Sequence, residues 1–316
     1  MRLSSRPVLS AIVLTFALVA SGCGLFLRLG VGLVYDRVDL PEEQVIRDVP
    51  YAADGLAKHR LNLFLPTPDS VRAAGGWPTV VFVHGGGWTE GDNDLEVGGA
   101  DVYNNIGRFF ASRGIGAATV SYRLLPDVRW PAQIDDVAAA VAWLHAHVGD
   151  YGGDPDGLVL MGHSAGAQLA ARVAFDGEPL TAQGLSTDVV CGLIAVSGAG
   201  YDLEDEETYA LSNDPAYYAR RFDPDGTDPD WQTAASPLRF VDADAPPTLV
   251  LYAGGETEAL QRQSQLLAAA LAESAVAHEV VVVPGQSHER IVPTLSRDDR
   301  TAGPAMLDFV RSGTCR

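Results

Sequence analysis

A serine set between glycines, Gly162-His163-Ser164-Ala165-Gly166, is the strongest chemical signal in the chain. It directly follows the apolar run Leu158–Met161 and opens an Ala-rich stretch, giving the order strand, sharp turn, serine, helix. Such an elbow exposes a nucleophilic oxygen at a helix N-terminus, where the dipole favours developing negative charge. The flanking glycines suit it, because side chains there would strike neighbouring strands. A Gly-Ser N-cap could use the same residues without chemistry, so the rest of the chain must decide. His84-Gly85-Gly86-Gly87-Trp88 follows a second apolar run, Thr79–Val83. Consecutive glycines let backbone N–H groups face a cleft with no Cβ in the way, as an acyl-transfer site needs to hold an oxyanion. The donors expected are Gly86, Gly87 and Ala165. The loop lacks the Lys-Ser/Thr of a phosphate-binding loop, and no G-x-G-x-x-G opens a helix, so nucleotide binding is poorly supported.

A serine nucleophile needs a base, and the base needs an acid to orient it. After such an elbow the chain order is serine, acid, histidine. His288 lies in Pro284-Gly285-Gln286-Ser287-His288-Glu289, a loop after the last strand-like run. Of seven histidines only His278 also lies beyond the elbow's helix, and it precedes a strand, at the opposite sheet edge. His84 and His163 sit within the glycine motifs, where hydrogen bonding is expected, and His59, His145 and His147 read as surface residues. The acid is expected in Ala253-Gly254-Gly255-Glu256-Thr257-Glu258, as Glu256 or, as the alternative, Glu258. Spacing does not separate them.

The elements that must position these groups follow from periodicity. Strand-length runs at Gln44–Arg47, Leu61–Leu65, Thr79–Val83, Ala117–Ser121, Leu158–Met161, Val189–Val196, Thr248–Tyr252 and Glu279–Val283 alternate with helical stretches. The helices are predicted over Asn104–Ser112, Pro131–His147, Ala165–Phe175, Ala259–Glu273 and Gly303–Val310. Val137, Val141, Leu144 and Val148 recur at three or four residues, as one buried helix face does. The pattern predicts an α/β fold: a mostly parallel eight-stranded sheet with helices on both faces. The first two strands, lacking a helix-sized gap between them, should pair antiparallel at its edge. Residues 199–244, rich in Asp, Tyr and Pro, read as a cap insertion with one or two short helices.

The 316 residues carry 22 Lys+Arg against 41 Asp+Glu, a net charge of −19, which argues against charge-driven binding to nucleic acid or anionic lipid. At the N-terminus, Arg2 and Arg6 precede an uncharged apolar run from Val8 to Ala20, then Ser21-Gly22-Cys23. That order predicts a signal peptide over 1–23 with Cys23 as a lipidation site, a tether over 24–40 and one domain over 41–316. An uncleaved anchor is the alternative, since Val8 to Leu27 is uncharged and about long enough to span a bilayer. Either way membrane contact is confined to the N-terminus. A Cys191–Cys315 bridge is one reading of the remaining cysteines; a buried free thiol at Cys191 is the one preferred. Asp223-Pro224-Asp225-Gly226-Thr227-Asp228-Pro229-Asp230 does not match a calcium-loop spacing and is taken as solvated.

From Leu61 to Val310 the chain resembles the HGGG-bearing branch of the α/β-hydrolase superfamily, with its hormone-sensitive-lipase-like esterases, arylformamidases and bacterial feruloyl-esterase-like hydrolases. The resemblance runs through the two glycine motifs, Val120-Ser121-Tyr122-Arg123-Leu124, Trp130-Pro131, Asp135-Asp136 and Gly153-Asp154-Pro155. His84-Gly85-Gly86-Gly87-Trp88, the Gly-Gly-Glu acid loop and Arg262-Gln263-Ser264 lean toward the arylformamidase-like subgroup, by which match Glu256 takes the acid's place, though most of the wider family carry aspartate. The resemblance implies hydrolysis of carboxylic esters through Ser164, Glu256 and His288, with neither metal nor organic cofactor. Small acyl or aryl esters are the expected substrates, with Trp88, Tyr201, Tyr209, Tyr217 and Leu124 as candidate pocket residues, core or lid packing being the first reading for any single aromatic. Formamide hydrolysis by the same residues, or an inactive exported binding protein on this fold, are the alternatives. Activity is expected to fall as pH drops through the imidazole range, roughly 6.5.

Overall fold

A computed structural model describes residues 35–67, 75–97, 99–298 and 300–312. Eight strands form one sheet: β1 (Val45–Pro50), β2 (Arg60–Phe64), β3 (Trp77–Val83), β4 (Gly116–Val120), β5 (Gly153–His163), β6 (Val190–Val196), β7 (Thr248–Ala253) and β8 (His278–Val283). Their spatial order is β1-β2-β4-β3-β5-β6-β7-β8. β2 runs antiparallel to both its neighbours, and from β4 to β8 every pairing is parallel. This is the sheet predicted from periodicity, antiparallel edge included.

Alternation along the strands sorts the core into two layers, since successive side chains leave opposite faces. In β5, Leu158 and Leu160 face one layer and Val159 and Met161 the other; in β3, Val81 and Val83 oppose Val80 and Phe82. The first layer is covered by α2 (Ala132–His147) and α3 (Ala165–Phe175), the second by α1 (Val102–Ala111). The stripe expected on α2 is there: Val137, Val141 and Leu144 are fully buried, with Val148 just beyond. Each such side chain contributes roughly 1.5–3 kcal/mol.

Residues 199–244 fold over the first layer as three short α-helices where one or two were expected, α4 (Glu206–Leu211), α5 (Ala219–Phe222) and α6 (Trp231–Ala235). Phe222 packs edge-on against Trp88 and Trp130, both at 4.8 Å between centroids. Gln168 on α3 donates to the Ala235 carbonyl at 2.7 Å. The insertion is also bolted to α7 (Glu258–Glu273): Arg262 pairs Asp205 through contacts of 2.6 Å, and Gln263 bonds the Asp202 backbone and Thr208. The chain closes with α8 (Ala302–Arg311) on the second layer.

Several expectations need correction. Residues 35–40, assigned to a tether, are packed on α1: Val38 N–H donates to Asn105 Oδ1 at 2.8 Å, Arg108 donates to the Leu40 carbonyl at 2.9 Å, and Leu40 is buried. The apolar side chains of Val38 and Leu40 draw the segment in. His59 is buried rather than on the surface, between the Asp54 carboxylate at 2.7 Å and the Asp136 carboxylate at 3.1 Å. Cys191 is disulfide-bonded rather than free; the other cysteines, Cys23 and Cys315, lie outside the described residues, as does the predicted signal segment.

Candidate active site

Four strands deliver the predicted groups to one end of the sheet, each from the loop at its C-terminal end, where open α/β sheets collect ligands. β5 ends at His163 and hands over to Ser164 at the start of α3; β3 leads into the glycine loop. β7 leads to Glu256, and β8 to His288.

The elbow is tight because backbone crowds it. A Cβ on Gly162 would meet the Gly166 carbonyl, and one on Gly166 would meet the carbonyls of Val83 and His84. Ser164 takes φ 55° and ψ −121°, a conformation costing a non-glycine residue about 1–3 kcal/mol. Its N–H donates to the Val196 carbonyl at 3.1 Å, which pins the strained turn to β6. The half-buried Ser164 side chain then faces His288: Ser164 Oγ donates to His288 Nε2 at 2.8 Å, and His288 Nδ1 donates to Glu256 Oε2 at 3.0 Å.

The acid and histidine loops are stitched together. Gly254 N–H donates to the Val283 carbonyl and Gly255 N–H to the Gln286 carbonyl, both at 2.9 Å. Glycine is needed at 255, since a Cβ there would lie 2.8 Å from the Gln286 carbonyl oxygen. The Glu256 side chain is entirely buried, so its carboxylate acts on His288 with little water to screen it. Glu258, the alternative acid, is the exposed first residue of α7.

His163 ties the elbow to the histidine loop by donating from Nε2 to the His288 carbonyl at 2.9 Å. Burial, with His288 close by, pushes its imidazole down to about 3, so it stays neutral. His84 is likewise held neutral by burial, down to about 4, and stacks on Tyr122 at 4.2 Å. Both have the hydrogen-bonding roles expected of them.

The glycine loop aims its N–H groups by pinning its carbonyls. His84 Nδ1 donates to the Gly85 carbonyl at 2.6 Å, and the N–H groups of Thr89 and Glu90 donate to the Gly86 carbonyl at 3.1 and 3.0 Å. In a planar trans peptide the N–H points opposite to the C=O. The Gly86 and Gly87 N–H groups are therefore turned away from these anchors. A Cβ on Gly85 would come within 3.2 Å of Ser164 Cβ, so the loop lies directly against the serine.

Trp88 and Tyr201, named as candidate pocket residues, are fully buried, the core packing put first for any single one of these aromatics. Trp88 Nε1 donates to Gln168 at 3.0 Å and its ring packs under the insertion; large apolar rings were better spent seating the insertion than facing solvent. Tyr209 and Tyr217 of the insertion remain half-buried, as does Leu124. Sequence reasoning missed Arg221, whose Nε donates to the Gly87 carbonyl at 2.9 Å. Among the described residues no cluster of metal-ligating side chains forms. In the acidic loop Asp223 accepts from Thr227 N–H at 2.9 Å.

Comparison with known proteins places this geometry in context. The BD-FAE family model matches residues 61–271. Esterase LipQ of Mycobacterium tuberculosis is 29% identical over 240 residues, covering 74% of this chain and 55% of the relative. A probable isoprenylcysteine alpha-carbonyl methylesterase of Oryza sativa is 30% identical over 200 residues, covering 62% and 43%. The chain thus spans about half the length of these curated relatives. Among solved structures, esterase B from Lactobacillus rhamnosus matches with TM-score 0.69 at 24% identity, covering 96% of this chain and 93% of that one. A truncated carbohydrate esterase from gut microbiota matches with TM-score 0.70 at 20% identity, covering 89% and 98%. Both structural likenesses establish the fold.

Proposed function

The chain belongs to the BD-FAE family, within the α/β-hydrolases, and on that footing we propose that it is a serine hydrolase cleaving carboxylic esters of small acyl or aryl substrates. The observation that carries this reading is the continuous relay from Ser164 through His288 to Glu256, at 2.8 and 3.0 Å, beside the glycine loop. His288 takes the Ser164 proton as Oγ attacks the acyl carbon, and the Gly86, Gly87 and Ala165 N–H groups receive the oxyanion. His288 then protonates the departing alcohol. Water, deprotonated by the same imidazole, releases the acyl group. Glu256 keeps His288 in the tautomer that leaves Nε2 free to accept, and stabilises the imidazolium that forms.

The decisive measurement is turnover of short p-nitrophenyl esters by wild type and Ser164→Ala. Activity is expected to fall by about three orders of magnitude or more; equal rates in the two would end the enzymatic reading. A fluorophosphonate probe should label Ser164 alone.

We also infer an exported, membrane-tethered location with Cys23 lipidated. The N-terminal charge and apolar order supports it, as does the Cys191 disulfide, a bond at home in oxidising compartments. Fatty-acid labelling that survives Cys23→Ala would remove the lipid claim.

A further inference from the structure

A guanidinium links the insertion to the backbone of the glycine loop. Arg221, in α5, donates from Nε to the Gly87 carbonyl at 2.9 Å and from Nη1 to the Tyr217 carbonyl at 2.9 Å. Its guanidinium lies 3.5 Å over the Tyr217 ring, which fixes the fork in place. The Tyr217 hydroxyl sits 2.5 Å from where a Cβ on Gly87 would be, so the pair closes over this glycine from the insertion side.

The loop presents a row of carbonyls, and the first two are held locally, Gly85 by the His84 ring and Gly86 by the Thr89 and Glu90 N–H groups. The third, Gly87, is held by Arg221 from 134 positions away. Gly87 has φ 59° and no side chain to restrict its ψ. With the Gly86 carbonyl pinned on one side and the Gly87 carbonyl on the other, both peptide planes flanking Gly87 are fixed. An oxyanion donor is useful only within a few tenths of an ångström of its place; the Gly87 N–H lies in the plane set by the Gly86 carbonyl, and a freed Gly87–Trp88 plane lets the turn that holds that carbonyl through the Thr89 and Glu90 N–H groups shift with it.

We propose that Arg221 is a positioning residue for the oxyanion loop: the insertion braces the catalytic backbone through the Gly87 carbonyl. This rests on the reading of Gly86 and Gly87 as oxyanion donors. Its consequence is selective. A loosened Gly87 weakens binding of the tetrahedral oxyanion far more than binding of the planar ester, so kcat falls while KM holds.

The test compares wild type, Arg221→Ala, Arg221→Lys and Arg221→Gln for kcat and KM on a p-nitrophenyl ester. Affinity for a trifluoromethyl ketone, whose hydroxyl adduct with Ser164 mimics the oxyanion, is measured alongside. Arg221→Ala is expected to lower kcat by about ten- to a hundredfold with KM within about twofold. The ketone should weaken by the same factor as kcat/KM, and millimolar guanidinium should restore part of the loss. Arg221→Lys should fall between, since an ammonium can reach the carbonyl but not hold it in a fork. Should Arg221→Ala fail to fold, Lys and Gln variants of wild-type thermal midpoint carry the comparison. Unchanged kcat in a folded variant, or a loss of kcat without a matching loss of ketone affinity, overturns the proposal. Because Ser164→Ala in the same assay tests the hydrolase reading itself, failure of the two claims cannot be confused.

Discussion

At the scale of single residues, the site is defined by what cannot be substituted. Ser164 occupies a backbone conformation that ordinary residues avoid, and its N–H is pinned to Val196. The strain is useful: it lifts Oγ out of the turn and toward His288 Nε2 at 2.8 Å. Between the two glutamates, left open on spacing alone, burial and distance both favour the proposed Glu256. Glu256 is enclosed and bonded to Nδ1, whereas Glu258 starts a helix in solvent. Glu256→Gln should therefore cost about three to four orders of magnitude in kcat, because an amide can present its N–H to Nδ1 and force the wrong imidazole tautomer. Glu258→Gln should change it less than about twofold, as expected for an exposed carboxylate away from the reacting atoms. Steady-state kinetics on the two variants checks both, and the reverse ranking would reassign the acid.

At the scale of elements, the predicted groups meet because four parallel strands finish at one end of the sheet and their loops converge there. The contact between β3 and the start of α3 is so close that Gly166 leaves no space for a methyl group against the Val83 and His84 carbonyls. Gly166→Ala is expected to destabilise the fold by roughly 3 kcal/mol or more, as overpacking against backbone does, seen as a fall in the denaturant midpoint. The strands and main helices were legible in the sequence because their apolar periods match the two layers they bury. Ser164, His288 and the glycine loop were legible because each follows a readable strand. What was hidden depends on contacts across long stretches of chain. His59 was unreadable because its enclosing partners include Asp136 on α2, and Arg221 because its acceptor Gly87 is a backbone atom far upstream. Trp88 and Tyr201 were aromatic in the right neighbourhood, but composition cannot tell the floor of a pocket from the packing beneath it.

At the scale of the whole molecule, buried neutral imidazoles make stability depend on pH. His84 and His163 titrate near 4 and near 3 in the folded chain, against roughly 6.5 when unfolded. Above that value neither state binds the proton and nothing is lost. Below it the unfolded chain takes up protons the native one refuses, so stability should decline by about 1.4 kcal/mol per pH unit for each histidine down to its folded value. Denaturant unfolding between pH 7 and 5 measures this; a curve flat across that window would contradict the burial of both rings. The disulfide gives a second global check. If Cys23 carries lipid, non-reducing peptide mapping should find Cys191 joined to Cys315, and a Cys191–Cys23 peptide would exclude lipidation there. The sheet order carries a consequence for the chain's early life. Ser164 comes from the middle of the sheet and His288 follows β8, the edge strand that comes last of the eight in chain order. On the proposed relay, a polypeptide interrupted before β8 docks would own the nucleophile without its base, and would stay chemically silent until that edge is in place.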